Sequence, residues 1–141
     1  MTVKELMSTN ICFVKADADV SDAAALMKKH DIGFVPVCDN KGCLIGLITD
    51  RDIVIRALCS EEKEFSHVTA AEIMSEEIAF VTPDMDIHDA ARVFSEKKVR
   101  RLPVLENSRL VGVLSLSDLA KKRIFLAEVG DIAWAMAKGS K

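Results

Sequence analysis

Gly46-Leu47-Ile48-Thr49-Asp50-Arg51-Asp52 is the stretch on which the reading of this chain turns: it runs an apolar strand into a helix, and it returns in altered form as Gly112-Val113-Leu114-Ser115-Leu116-Ser117-Asp118. In each copy a hydroxyl stands three residues ahead of a carboxylate, just past the strand. That spacing has two physical readings. In a capping box, Thr49 or Ser115 accepts from the third helical amide while Asp52 or Asp118 reaches back to the amide of the cap. In a sugar clamp at a strand end, the helix amides suit an anion and the Asp carboxylate accepts two neighbouring ribose hydroxyls. One occurrence alone favours the cap. A second at the same place in a repeat says that the geometry itself is kept, and both readings can hold at once.

The duplication extends outward from this element. Met7 aligns with Met74, Asp22 with Asp89 and Pro36 with Pro103, each 67 positions apart. Beyond the following turn the offset is 66, from Gly46 to Gly112 and Asp52 to Asp118, so the second copy has lost one residue. A loop tolerates such a loss. Two copies of roughly sixty-five residues are too few and too long for a solenoid, so one compact domain is expected, each copy covering part of the other's apolar face. The boundaries read as repeat 1 over residues 2–59, a linker over 60–68, repeat 2 over 69–123 and a helical tail over 124–141.

Composition narrows the function. Half of the 141 residues are hydrophobic and 29% are charged, as in an ordinary soluble domain. A net charge of -3 argues against a general binder of nucleic acid or of a membrane surface, which carries a basic face. No run approaches the roughly eighteen apolar residues of a membrane span, and Met1-Thr2-Val3-Lys4-Glu5 has no apolar signal core, so a cytoplasmic protein is expected. Cys12, Cys38, Cys43 and Cys59 show no CxxC spacing, fall mostly within predicted strands and read as small core residues. Cys38 and Cys43 flank a turn, but in a reducing compartment a free pair is expected. His30, His67 and His88 lie away from them, which leaves a zinc site without support. An aromatic fraction of 5% offers no stacking platform for single strands.

In chain order, Val3–Met7 and Ala70–Met74 predict short helical turns that feed the strands Ile11–Val14 and Ile78–Val81. Asp19 and Asp86 read as N-caps of helices whose buried faces are Val20, Ala23, Ala24, Met27 and Ile87, Ala90, Ala91, Phe94. Two hairpins follow, Phe34–Cys38 with Cys43–Ile48 and Arg101–Leu105 with Leu110–Leu114, joined by tight turns. Pro36 and Pro103 lie inside the first strands, where a missing donor is tolerated only at an edge or where pairing stops. Helices then run from about Asp50 to Leu58 and from about Ser117, and the segment Ser60-Glu61-Glu62-Lys63-Glu64 between the copies reads as solvated. In the tail, Phe125, Val129, Ile132 and Met136 form a seam for packing on the body or on a second chain, Gly130 weakens a continuous helix, and Trp134 reads as an anchor in that packing.

Taken together, the duplicated Val35-Pro36-Val37 and Leu102-Pro103-Val104 segments and the two Gly-x-x-Thr/Ser-x-x-Asp elements resemble a stand-alone tandem of cystathionine-β-synthase (CBS) domains, a CBS pair or Bateman module, over about residues 2–123. The resemblance implies an α/β (α+β) fold of two pseudo-symmetric repeats, each a small mixed sheet packed with two helices, forming one compact CBS pair that commonly dimerises through its helices. It implies an adenine-containing ligand, AMP, ADP, ATP or S-adenosylmethionine, in inter-repeat clefts, with no cofactor required. Carried over by position, Asp52 and Asp118 hold ribose hydroxyls, and Thr49 and Ser115 contact sugar or phosphate. The base lies near Val35, Pro36, Leu102 and Pro103, and Asn10, Ile11 and Ile78 form another wall. Arg100 and Arg101 occupy positions that often read phosphate. As two adjacent basic residues after Lys97-Lys98 they also suit a solvated strand end. Gly33 and Phe34 replace them in the first copy, so unequal clefts are expected. Arg51 and Lys121 rank below the arginine pair, since Arg51 can pair with Asp50 or Asp52 and Lys121 suits a surface helix.

The leading expectation is thus a regulatory module that senses an adenine nucleotide and signals through a homodimer or an unidentified effector protein. An enzyme has little support: there is no nucleophile with a nearby base, no HExxH and no GxxxxGK[ST] loop. The alternative is a ligand-free dimerisation scaffold in which both Thr/Ser-x-x-Asp elements are caps only.

Overall fold

In the computed structural model, which describes residues 1–59 and 67–139, each repeat opens on a short helix, α1 (Val3–Leu6) and α4 (Ala70–Ile73). The first repeat continues through β1 (Val14–Lys15), α2 (Val20–His30), β2 (Phe34–Cys38), β3 (Leu44–Thr49) and α3 (Asp50–Asp52), which runs on as a π-helical segment, Ile53–Leu58. The second continues through α5 (Ile87–Lys97), β4 (Arg101–Glu106), β5 (Arg109–Ser115) and α6 (Leu116–Ala120), then a 3-10 turn, Arg123–Phe125, and α7 (Leu126–Gly139). Ser60-Glu61-Glu62-Lys63-Glu64, expected to be solvated, lies outside the described residues.

The compact units cut across the repeats. One, here the first unit, is Cys12–Ile78; the second is Met1–Ile11 together with Ala79–Lys141. Each opening helix therefore belongs with the other repeat's sheet. In the first unit, Ala70 and Ala71 donate to the carbonyls of Ala18 and Ala16, and Ser75 bridges Leu47 of β3. In the second, Val3 and Lys4 donate to the carbonyls of Met85 and Pro83, and Ser8 bridges Val113 of β5. Two glycines make room for this. A Cβ on Gly112 would stand 2.7 Å from Met7 Sδ and 2.9 Å from the Ser8 carbonyl oxygen, while the three atoms nearest to one on Gly46 all belong to the Met74 side chain. Gly112→Ala is therefore expected to cost about 1–3 kcal/mol in urea denaturation, the range of overpacked cores. Gly46→Ala should cost less, because a methionine side chain yields more readily than backbone; equal losses would contradict this packing.

Each unit closes its own core. In the first, Val20, Ala23 and Met27 of α2 pack with Val35, Val37, Ile48, Ile53 and Ile73. In the second, Ile87, Ala90, Ala91 and Phe94 of α5 pack with Leu102, Leu114, Leu119, Phe125 and Ile132. The predicted helix faces are the observed ones, except that Ala24 is only partly buried. Asp86 caps α5 by accepting from the His88 N–H at 2.8 Å; Asp19 makes no side-chain cap and its carbonyl accepts from Asp22 instead. The His88 main-chain N–H, assisted by its ring, holds the Asp86 carboxyl below the usual carboxylate range. The residue lost from the second copy belongs to the hairpin turn. Asp39 and Cys43 close a loop that contains Gly42 at φ 82, whereas Asn107 and Ser108 alone turn the second hairpin, both at positive φ.

Several expectations are corrected. Of the first predicted strand, Ile11–Val14, only Val14 pairs in a ladder, together with Lys15 just beyond it, and of Ile78–Val81 only Val81 bridges, to Val104. Cys38 alone of the four thiols is buried; Cys12 and Cys43 are partly exposed and Cys59 is exposed, and all four are free. α7 passes through Gly130 unbroken, because Phe125 and Ile132 are held in the second unit's core. Trp134 is 64% exposed with Lys138 Nζ 4.3 Å from its ring centroid, so it does not anchor the tail on the body. Glu128 serves there instead: its Oε1 lies 3.3 Å from His88 Nε2 and ties α7 to α5.

Candidate ligand-binding site

Both Thr/Ser-x-x-Asp elements form complete capping boxes. In the first unit the Thr49 N–H donates to Asp52 Oδ2 at 2.9 Å and the Asp52 N–H donates to Thr49 Oγ1 at 3.2 Å. In the second the corresponding distances are 2.8 Å for Ser115 to Asp118 Oδ2 and 3.1 Å for Asp118 to Ser115 Oγ. The cap occupies one carboxylate oxygen in each case. What becomes of the other separates the two copies. Asp52 Oδ1 lies 3.7 Å from Arg56 Nε, and Arg56 Nη1 donates to the Ile73 carbonyl at 3.1 Å, fixing this aspartate to the end of α4. Asp118 Oδ1 has no partner among the described residues, so the second carboxylate can keep its cap and still accept from a ligand.

Strand register sets what stands beside each carboxylate. Arg101 lies directly opposite Ser115, as Phe34 lies opposite Thr49. Residues paired this way project from the same face of the sheet. The Leu116 N–H donates to the Arg100 carbonyl at 2.9 Å, and Val113 exchanges both its bonds with Ser8. Alternation along an antiparallel ladder then turns the N–H and C=O of Arg101 away from β5, toward the side where Val81 reaches only Val104. Pro103 shares that side, and its carbonyl accepts from the Val81 N–H at 3.1 Å. The free main-chain groups beside the proline are thus those of Arg101, and by the same register those of Phe34 in the first unit. Neither Arg100 nor Arg101 has an ion-pair partner among the described residues.

The structure brings Arg100, Arg101, Pro103, Ser115 and Asp118 together in one unit, and Phe34, Pro36, Thr49 and Asp52 in the other. Val35 and Leu102 are fully buried, so their side chains belong to the cores. Asn10 is exposed and Ile11 partly so, just beyond the Ser8 bridge, and no hydrogen bond among the described residues ties them to Ser115 or Asp118. Ile78 likewise follows Ser75 with no such tie. Lys121 ends α6 exposed. Arg51 does not pair with either neighbouring carboxylate through its side chain; Arg56 takes Asp52, and the Arg51 main-chain N–H donates to Asp50. The i,i+4 spacing of Asp52 and Arg56 on one helix was the signal for that pair. Burial pushes the Cys38 thiol up to about 11, which keeps it protonated at neutral pH and a poor nucleophile. No group of three or more His, Cys, Asp or Glu that could hold a metal occurs among the described residues.

A duplicated α/β module whose two sheets each end in a hydroxyl-and-aspartate helix start defines a class of tandem-repeat protein. The family model for the CBS domain matches residues 3–58 and 70–124, and the chain belongs to that family. It is 35% identical over 119 residues to the CBS domain-containing protein YhcV of Bacillus subtilis (strain 168), covering 84% of this chain and 83% of that one. Among solved structures it resembles the CBS domain pair of protein MJ0100 in complex with 5′-methylthioadenosine and S-adenosyl-L-methionine. That match has a TM-score of 0.75 and 27% identity, and covers 86% of this chain and 94% of the other. It also resembles CBSX2 in complex with AMP, with a TM-score of 0.76 and 25% identity over 89% of this chain and 98% of the other. No helix among the described residues is long and apolar enough to cross a membrane.

Proposed function

We propose that the chain is a regulatory sensor of adenine-containing ligands, with the arrangement around Asp118 as a phosphate-reading site. The observation that carries this is the open Oδ1 of Asp118, held by its own cap beside the unpaired guanidinium of Arg101. In this reading Asp118 accepts the ribose hydroxyls, the main chain of Arg101 meets the base, and Arg101 with Arg100 meets phosphate. The AMP and S-adenosylmethionine complexes of related CBS pairs support the ligand class. No bond is made or broken, so binding acts through a change of shape. The exposed Val54, Ile55 and Leu58 in the first unit, and Ile124 and Leu126 in the second, supply apolar surface for a homodimer or an effector protein to receive it.

Thermal unfolding with AMP, ADP, ATP and S-adenosylmethionine tests this reading. A ligand at 100 times its dissociation constant adds about 2.7 kcal/mol to native stability, so at least one should raise the melting temperature by several degrees. An unchanged melting temperature with every ligand would favour the ligand-free scaffold.

A further inference from the structure

We propose that the two copies are tuned to different adenosine ligands: the second unit takes a phosphorylated one, and the first excludes phosphate and takes an adenosine whose 5′ substituent is uncharged or cationic. This rests on the adenine-ligand reading above and goes beyond it by assigning the excluding residues.

The argument is an exchange of charge at one place in the repeat. Position 100 of the second unit carries an arginine side chain; the aligned position of the first is Gly33. The space is not vacant. A Cβ on Gly33 would stand 2.7 Å from Asp50 Oδ2, so the Asp50 carboxylate fills the volume into which a side chain there would grow. The Asp50 N–H donates to the Gly33 carbonyl at 3.0 Å, which fixes the aspartate over that residue just as Leu116 is fixed over Arg100. An acid therefore stands where its counterpart has a base. One step along the strand, Phe34 replaces Arg101 opposite the hydroxyl residue. With Arg56 on Asp52, the residues Asp50, Arg51, Asp52 and Arg56 sum to zero around the first helix start, so the unpaired negative charge there is the Asp50 carboxylate beside Gly33, whereas Arg100, Arg101 and Asp118 leave one net positive charge around the second. A phosphate near Asp50 meets like charge and finds an aromatic ring in place of a donor. An uncharged thioether or a sulfonium meets neither penalty, and the sulfonium gains from the carboxylate.

The test is calorimetric titration of the full-length Asp118→Ala protein, in which the second site is disabled, with AMP and with 5′-methylthioadenosine. The expected result is retained binding of 5′-methylthioadenosine with AMP weaker by about tenfold or more, as one unfavourable charge contact in a partly solvated site implies. Asp50→Asn in the same background should narrow that gap, and Phe34→Arg should narrow it further, with 5′-methylthioadenosine binding reporting that each variant is folded. AMP binding as tightly as 5′-methylthioadenosine before either change would overturn the proposal, as would loss of both ligands from a folded Asp118→Ala protein. If the wild-type chain binds no adenine ligand, the parent reading fails with it; if it binds AMP at Asp118 and the first unit shows no discrimination, only the tuning fails.

Discussion

Asp118→Ala is expected to weaken AMP binding by more than about 100-fold, since two charge-assisted hydrogen bonds to ribose contribute roughly 1.5–3 kcal/mol each. The same substitution removes only the return half of a capping box, worth about 1 kcal/mol, well inside the 5–15 kcal/mol that holds a domain together. Binding and folding therefore separate. Calorimetry should show the lost affinity while urea denaturation still gives one cooperative transition with its midpoint modestly lowered. A variant that unfolds, yet binds AMP undiminished per folded molecule, would show that Asp118 is a cap and nothing more. Asp52→Ala should differ, because Arg56 already engages its second oxygen and the substitution also strands a guanidinium bonded to the Ile73 carbonyl.

Arg101→Ala should lower AMP affinity by roughly ten- to more than 100-fold, the equivalent of one charge-assisted contact of about 1.5–3 kcal/mol, and leave adenosine affinity nearly unchanged. Its geometry makes the effect local. The side chain stands across the ladder from Ser115, and no ion pair among the described residues depends on it. Stability should move little. Equal losses for AMP and adenosine would mean that Arg101 shapes the site instead of reading phosphate, and no loss for either would return it to a solvated strand end. Because the chain carries a net charge of -3, a preference for phosphate must come from donors close at hand, not from the overall field.

How much of this was legible beforehand depends on whether the controlling contact was local. The helices beginning at Val20 and Ile87, both hairpins and both capping boxes follow from periodicity and short-range spacing, and the structure contains them. The family could be read because its short motifs occur twice and in order. The exchange of α1 and α4 between the repeats' sheets was not legible, since the contacts of Met7 with Gly112 and of Met74 with Gly46 join positions far apart in sequence or across the linker. That Trp134 does not anchor the tail on the body has a related cause. The seam of Phe125 and Ile132 does pack inward, but the tryptophan projects from another side of α7. Burial likewise turns the side chains of Val35 and Leu102 into the cores, and strand alternation alone could not say which face meets the core. The inequality of Asp52 and Asp118 needed both strand register and the long reach of Arg56.

The most direct measurement of the central claim is a 1H–15N NMR titration of the wild-type chain with AMP. The account predicts saturable shifts largest at the amides of Arg101, Ser115 and Asp118, with smaller ones around Phe34 and Thr49. Saturable AMP binding that leaves Arg101, Ser115 and Asp118 unmoved, with the shifts gathered elsewhere such as around His88 and Glu128, would contradict it.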